Sequence, residues 1–101
     1  MRRLRLLPAA RRDADEIWDY SADRWGSNQA DEYLRALIAA GQAIADGRRQ
    51  GGRIAGVRPG YWKLAVGAHL LCYRFAGDDA LEIVRILHQR MNVESRLRRD
   101  R

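Results

Sequence analysis

The sequence is short of cysteine, histidine and lysine, and each shortage removes a class of chemistry. Cys72 is the single cysteine, so neither an internal disulfide nor a thiolate-rich metal cluster is available. The two histidines, His69 and His88, stand without clustered carboxylates or a second thiol, so no metal and no cofactor is expected. No apolar run is long enough to span a bilayer, which argues against a membrane role. The leading segment alternates Arg and Leu and has neither the apolar core nor the cleavage site of a secretion signal, so a cytoplasmic location is expected. Lys63 is the only lysine. Every other cation is arginine, whose planar fork suits carboxylates and phosphates.

What is present is one basic domain. The 101 residues, 47% hydrophobic and 32% charged, are ordinary globular usage and have room for a single domain over 1–101. Nineteen Lys and Arg against thirteen Asp and Glu leave a net charge of +6, with a pI near 10.4. That balance points to an acidic partner, protein or nucleic acid.

Hydrophobic periodicity divides the chain. Arg3 to Leu7 alternates as a short strand, and Pro8 ends it at a position that a first helical turn tolerates. Ala14, Ile17, Trp18, Ser21, Ala22 and Trp25 then recur at helical spacing. Gly26-Ser27-Asn28 reads as a three-residue link with a capping residue for a second helix, whose stripe runs Ala30, Tyr33, Leu34, Leu37, Ile38, Gly41, Ile44 and Ala45. A link this short makes an antiparallel helix hairpin. Gly47 to Gly60 is a glycine- and arginine-rich loop that lacks the Gly-Lys-Ser/Thr ending of a phosphate-binding P-loop. Three strand-like runs follow, 61–66, 69–75 and 81–87, turning at Gly67-Ala68 and at Gly77-Asp78-Asp79. From about residue 92 the Arg-rich tail is expected to be a loose helical turn or disordered. The fold class is therefore α+β: an N-terminal strand, then a helix hairpin on one face of an antiparallel sheet.

The Gly67-Ala68 turn sets a register that sorts the two sheet faces. Val66 with His69, Leu64 with Leu71 and Trp62 with Tyr73 make an apolar face that should meet the helices. Ala65 with Leu70, Lys63 with Cys72 and Tyr61 with Arg74 make the other, joined by Arg85. That face is too apolar for a comfortable solvent surface and too cationic for a core. An acidic amphipathic segment would satisfy it; so would a nucleic acid, with Tyr61 for stacking. Equally, arginine and lysine stems could simply lie over an ordinary sheet face.

Several segments resemble the ParE/RelE superfamily of toxins from type II toxin–antitoxin systems. Leu7-Pro8-Ala9-Ala10 leads into Ala14-Asp15-Glu16-Ile17-Trp18 and Tyr20, in the manner of a ParE opening. Trp25-Gly26, Gln29-Ala30 and Tyr33 are similar to the start of the family's second helix. Gly56-Val57-Arg58-Pro59-Gly60 resembles its loop, Tyr73-Arg74-Phe75 its central strand, and Ile83-Val84-Arg85-Ile86-Leu87-His88-Gln89-Arg90-Met91 its closing motif. The matches span nearly the whole chain in order. The resemblance implies a RelE-like two-layer fold and a ParD-like antitoxin whose C-terminal segment wraps the toxin, operator DNA being reached only through that antitoxin. The face carrying Tyr61, Lys63, Arg74 and Arg85 is the expected antitoxin surface.

The target follows from the branch. ParE-type members stall DNA gyrase with DNA cleaved and have no established catalytic residues; similarity favours this branch, with Arg58, Arg90 and Arg96 as expected target contacts. RelE-type members are ribosome-dependent mRNA endonucleases. On that alternative Lys63, His88, Arg90 and Arg58 would be catalytic, but Arg96 stands near where RelE has a tyrosine, and His69 where it has a sheet arginine. A degenerate toxin that acts only as a co-repressor with its antitoxin is the third reading. His88 is read mainly as a backbone-bonded residue that secures the C-terminal segment, and Cys72 as a small strand residue rather than a nucleophile.

Overall fold

The computed structural model describes residues 2–99; Met1 and the tail residues 100 and 101 lie outside the described residues. The elements run β1 (Arg3–Leu6), α1 (Pro8–Trp25), α2 (Ser27–Ala45), β2 (Gly52–Arg53), β3 (Trp62–Val66), β4 (His69–Ala76), β5 (Ala80–His88) and α3 (Val93–Arg99). Leu7 is extended and Pro8 takes the first helical position, where the missing N–H costs nothing. Gly26, at φ 94°, ends α1 and starts α2, in a conformation open to glycine and costly for a side chain. The link is this one residue rather than three, because Ser27 and Asn28 already belong to α2 and no side chain caps it.

The hairpin lies on a five-stranded sheet in the order β1-β5-β4-β3-β2. β1 joins β5 in parallel and the other pairings are antiparallel; the hairpin carries the chain from β1 to β2 at the far edge. The β3–β4 register is the one set by Gly67-Ala68, from Trp62 opposite Tyr73 to Val66 opposite His69. Gly67 sits at φ +57° against the Tyr33 ring, which leaves no room for a Cβ. A bulge between Cys72 and Tyr73 shifts the β4–β5 pairing. Leu71, Tyr73, Leu81, Ile83 and Ile86 pack under Ile17, Leu37, Ala40 and Ile44. Each such aliphatic side chain contributes about 1.5–3 kcal/mol by leaving water.

The second face is not open along its whole length. Ile54 and Val57 from the glycine-rich loop, with Val93 and Leu97 from α3, cover Cys72, Val84 and Leu87 in a second, smaller core. The tail segment expected to be loose thus forms a helix with Leu97 buried. Trp25, placed by periodicity among the packed residues, is 61% exposed. Its position beside Gly26 carries it past the end of the packed stripe.

Candidate functional site

A polar chain crosses the part of the second face that the small core leaves uncovered. Alternation along β1, β4 and β5 brings Arg5, Arg74 and Glu82 to neighbouring positions, with Arg74 directly opposite Glu82 and Arg5 beside it. Glu82 is almost fully buried. It accepts from Arg5 and, at 2.9 Å, from the Nε of Arg74. Arg74 also donates to the Tyr61 hydroxyl at 3.2 Å, and Arg58 reaches the same oxygen at 3.5 Å. Two guanidiniums thus converge on a neutral phenol. Burial pushes the Tyr61 pKa up, but the hydrogen bonds from Arg58 and Arg74 outweigh it and the phenol lies below its ordinary value. Glu82 lies below the usual carboxylate range, held there chiefly by Arg74. Lys63 projects from β3, exposed, opposite Cys72. Arg5 and Arg74 therefore share one carboxylate, with Arg58 joined to them through Tyr61 and Lys63 on the same face.

Arg85 stands opposite Cys72, in register with Lys63, but its guanidinium is held by Asp13 rather than by this group. Past Leu6 the chain turns into α1, so the β5 edge that β1 would have paired is met by Asp13 instead. The Asp13 carboxylate takes the Arg85 guanidinium through two hydrogen bonds, 2.7 and 2.9 Å, and the Ile86 N–H at 2.9 Å. Both side chains are largely buried, at 15% and 11% exposure. The bonds tie α1 to β5.

A cleft of about 800 Å³ opens between the hairpin and the ends of β4 and β5. Tyr20, Trp25 and Met91 at its margin are all exposed, and Arg96 of α3 also lines it. His69 and His88, paired across β4 and β5, meet edge to face at 5.4 Å. The Tyr33 hydroxyl accepts the Ala68 N–H at 3.0 Å and lies 2.6 Å from His69 Nδ1 and 3.5 Å from the Val66 carbonyl oxygen. The Arg90 N–H donates to His88 Nδ1 at 3.1 Å. With Nδ1 accepting, the His88 ring carries its proton on Nε2. Burial, then the charge of His88, holds the His69 pKa below the ordinary value, which favours the neutral ring. With its Nδ1 taken by the Arg90 N–H, His88 presents a ring N–H donor there rather than a base.

Comparison with known proteins decides the family. Residues 4–93 match the family described as ParE toxin of type II toxin-antitoxin system, parDE. The chain belongs to the ParE toxin family. Toxin ParE1 of Mycobacterium tuberculosis is 47% identical over 92 residues, covering 91% of this chain and 94% of that protein. Toxin ParE1 of Caulobacter vibrioides is 40% identical over 97 residues, covering 96% and 99%. A solved structure described as the chromosomal ParDE TA system from P. aeruginosa superposes with a TM-score of 0.74 at 20% identity, over 87% of this chain and 96% of that one. That likeness is one of fold.

Within this ParE fold the residues singled out from sequence separate into distinct places. Tyr61, Lys63, Arg74 and Arg58 lie together on the second face, whereas Arg85 is held by Asp13. His88 and Arg96 line the cleft, and Arg90 follows β5 with its side chain exposed. Sequence reading missed Asp13 and the Tyr33–His69 pair. Tyr33 looked like one more member of the α2 stripe, and its hydroxyl was the available signal, since a buried phenol needs a partner. Among the described residues, no three His, Cys, Asp or Glu side chains are grouped so as to hold a metal ion, and no helix is long and apolar enough to cross a membrane.

Proposed function

We propose that this ParE-family chain is neutralised by a ParD-like antitoxin and, when free, inhibits DNA gyrase. The observation that carries the gyrase reading is the dispersal of the nuclease set. Lys63 and Arg58 lie on the second face, while His88 belongs to the cleft on the hairpin side and has its Nδ1 occupied. General acid–base cleavage of RNA needs both proton-transfer groups within reach of one phosphodiester. A protein that acts by binding gyrase has no such requirement. For the antitoxin, the surplus of cations around Glu82 and Tyr61, next to apolar surface, supports an acidic amphipathic segment as the occupant. The P. aeruginosa structure, a ParDE system by its description, supports the same pairing.

The test is pulse-labelling after expression without antitoxin, comparing thymidine with methionine incorporation in the first minutes. A fall in DNA synthesis first, with strand breaks, is the expected result. An earlier fall in protein synthesis would replace gyrase with the ribosome, and no arrest at all would leave a co-repressor.

A further inference from the structure

The hairpin covers only part of its face of the sheet. Tyr73 is fully buried there, but Phe75, the next β4 residue on the same side, is 41% exposed. Where the sheet emerges, Trp62 of β3 and Phe75 meet edge to face, 6.4 Å apart at 76°. The Arg53 guanidinium of β2 lies over Trp62 at 5.4 Å, and that of Arg2, just before β1, lies over Phe75 at 4.7 Å. The row across the sheet reads Arg53, Trp62, Phe75, Arg2. Among the described residues, the ion pairs engage Arg3, Arg5, Arg48, Arg74 and Arg85, but neither arginine of this row. The Nε of Arg2 is buried without an acceptor.

We propose that this row is a binding site for single-stranded nucleic acid, a function beyond antitoxin pairing and gyrase inhibition. Each ring is already capped, Trp62 by Arg53 and Phe75 by Arg2. The surfaces offered to the bases of an extended strand are therefore the two guanidiniums that the rings support. A guanidinium lying over a ring is itself a surface on which bases stack, and its edge N–H groups reach phosphate. A duplex, whose bases are already stacked inside, cannot use these surfaces. The row lies on the opposite face from the Arg5–Glu82–Arg74–Tyr61 chain, so a strand bound here does not compete with a partner bound there.

The experiment is fluorescence anisotropy of labelled oligo(dT), oligo(U) and a duplex with the full purified chain, without gyrase or antitoxin. Both single strands should bind more tightly than the duplex, and a preference between them identifies DNA or RNA as the ligand. Phe75→Leu keeps an apolar side chain without the ring and should weaken single-strand binding roughly tenfold. Arg2→Gln with Arg53→Gln should do likewise, whereas Arg35→Gln, on the exposed surface of α2, should leave binding unchanged. Circular dichroism of each variant checks that it is folded. Equal binding of duplex and single strands, wild-type binding by Phe75→Leu, or an equal loss in Arg35→Gln would each overturn the site and leave only the attraction of a +6 chain for polyanions. Because gyrase is absent, failure here does not bear on the gyrase reading.

Discussion

Single residues in this toxin owe their chemistry to what covers them. Cys72 has a basic neighbour in Lys63, which alone would lower its pKa, yet burial pushes the thiol up to about 12. Thiolate is then scarce at any physiological pH. An aromatic disulfide reagent at pH 8 should therefore modify Cys72 slowly in the native chain and at the rate of a free thiol in denaturant; rapid native labelling would show that α3 does not protect it. His69 makes a pH prediction. Its folded pKa lies below the 6.5 of an unperturbed imidazole, mainly through burial. The unfolded chain therefore binds more protons in the window between the two values, and stability is lost as pH falls from about 6.5 through the folded pKa. Denaturation midpoints at pH 7.5, 6.5 and 5.5 should decline more steeply in the wild type than in His69→Gln. Parallel slopes would mean that His69 titrates alike in both states.

Elements meet through a few polar contacts that hydrophobic pattern cannot foretell. α1 leans on β5 not only through Ile17 but through Asp13, which takes both Arg85 and the Ile86 N–H. Removing one partner of a largely buried, hydrogen-bonded pair strands the other charge, so Asp13→Ala should lower unfolding free energy by about 3–5 kcal/mol. Asp13→Ala with Arg85→Met should recover part of that loss, read as the coupling in a denaturant double-mutant cycle. Additive losses would mean that the pair holds α1 in place only weakly. α3 is seated differently, by Val93 and Leu97 over the second core. A chain ending at Asn92 should fold around the hairpin core yet label Cys72 at many times the wild-type rate.

At the scale of the molecule, charge is distributed unevenly. The second face carries Arg5 and Arg74 on Glu82, Arg58 on Tyr61, and Lys63, so an acidic partner there should bind less tightly as salt rises. Lys63→Glu and Arg58→Glu should each weaken antitoxin binding well beyond the effect of Arg12→Glu on exposed α1, as measured by titration calorimetry. Arg74→Glu is a poor probe, since it would set a second carboxylate beside buried Glu82 and break the fold first. Equal effects of Lys63→Glu and Arg12→Glu would move the antitoxin elsewhere.

Sequence alone carried neither β2 nor the seated helix α3, but it did carry β1, the helix hairpin, the three-strand meander, the β3–β4 register and which sheet face the hairpin covers. These follow from local rules: a 3.6- or 2-residue period, a helix-starting proline, and a glycine able to turn in two residues. The segments resembling ParE were legible for the same reason, because each is contiguous. Only the tertiary structure decided that β1 lies parallel to β5, that α3 and Ile54 close part of the second face, that Asp13 captures Arg85, and that Trp25 stands exposed. Each of these depends on residues tens of positions apart, or on where a packed stripe stops. Period and composition carry no record of either.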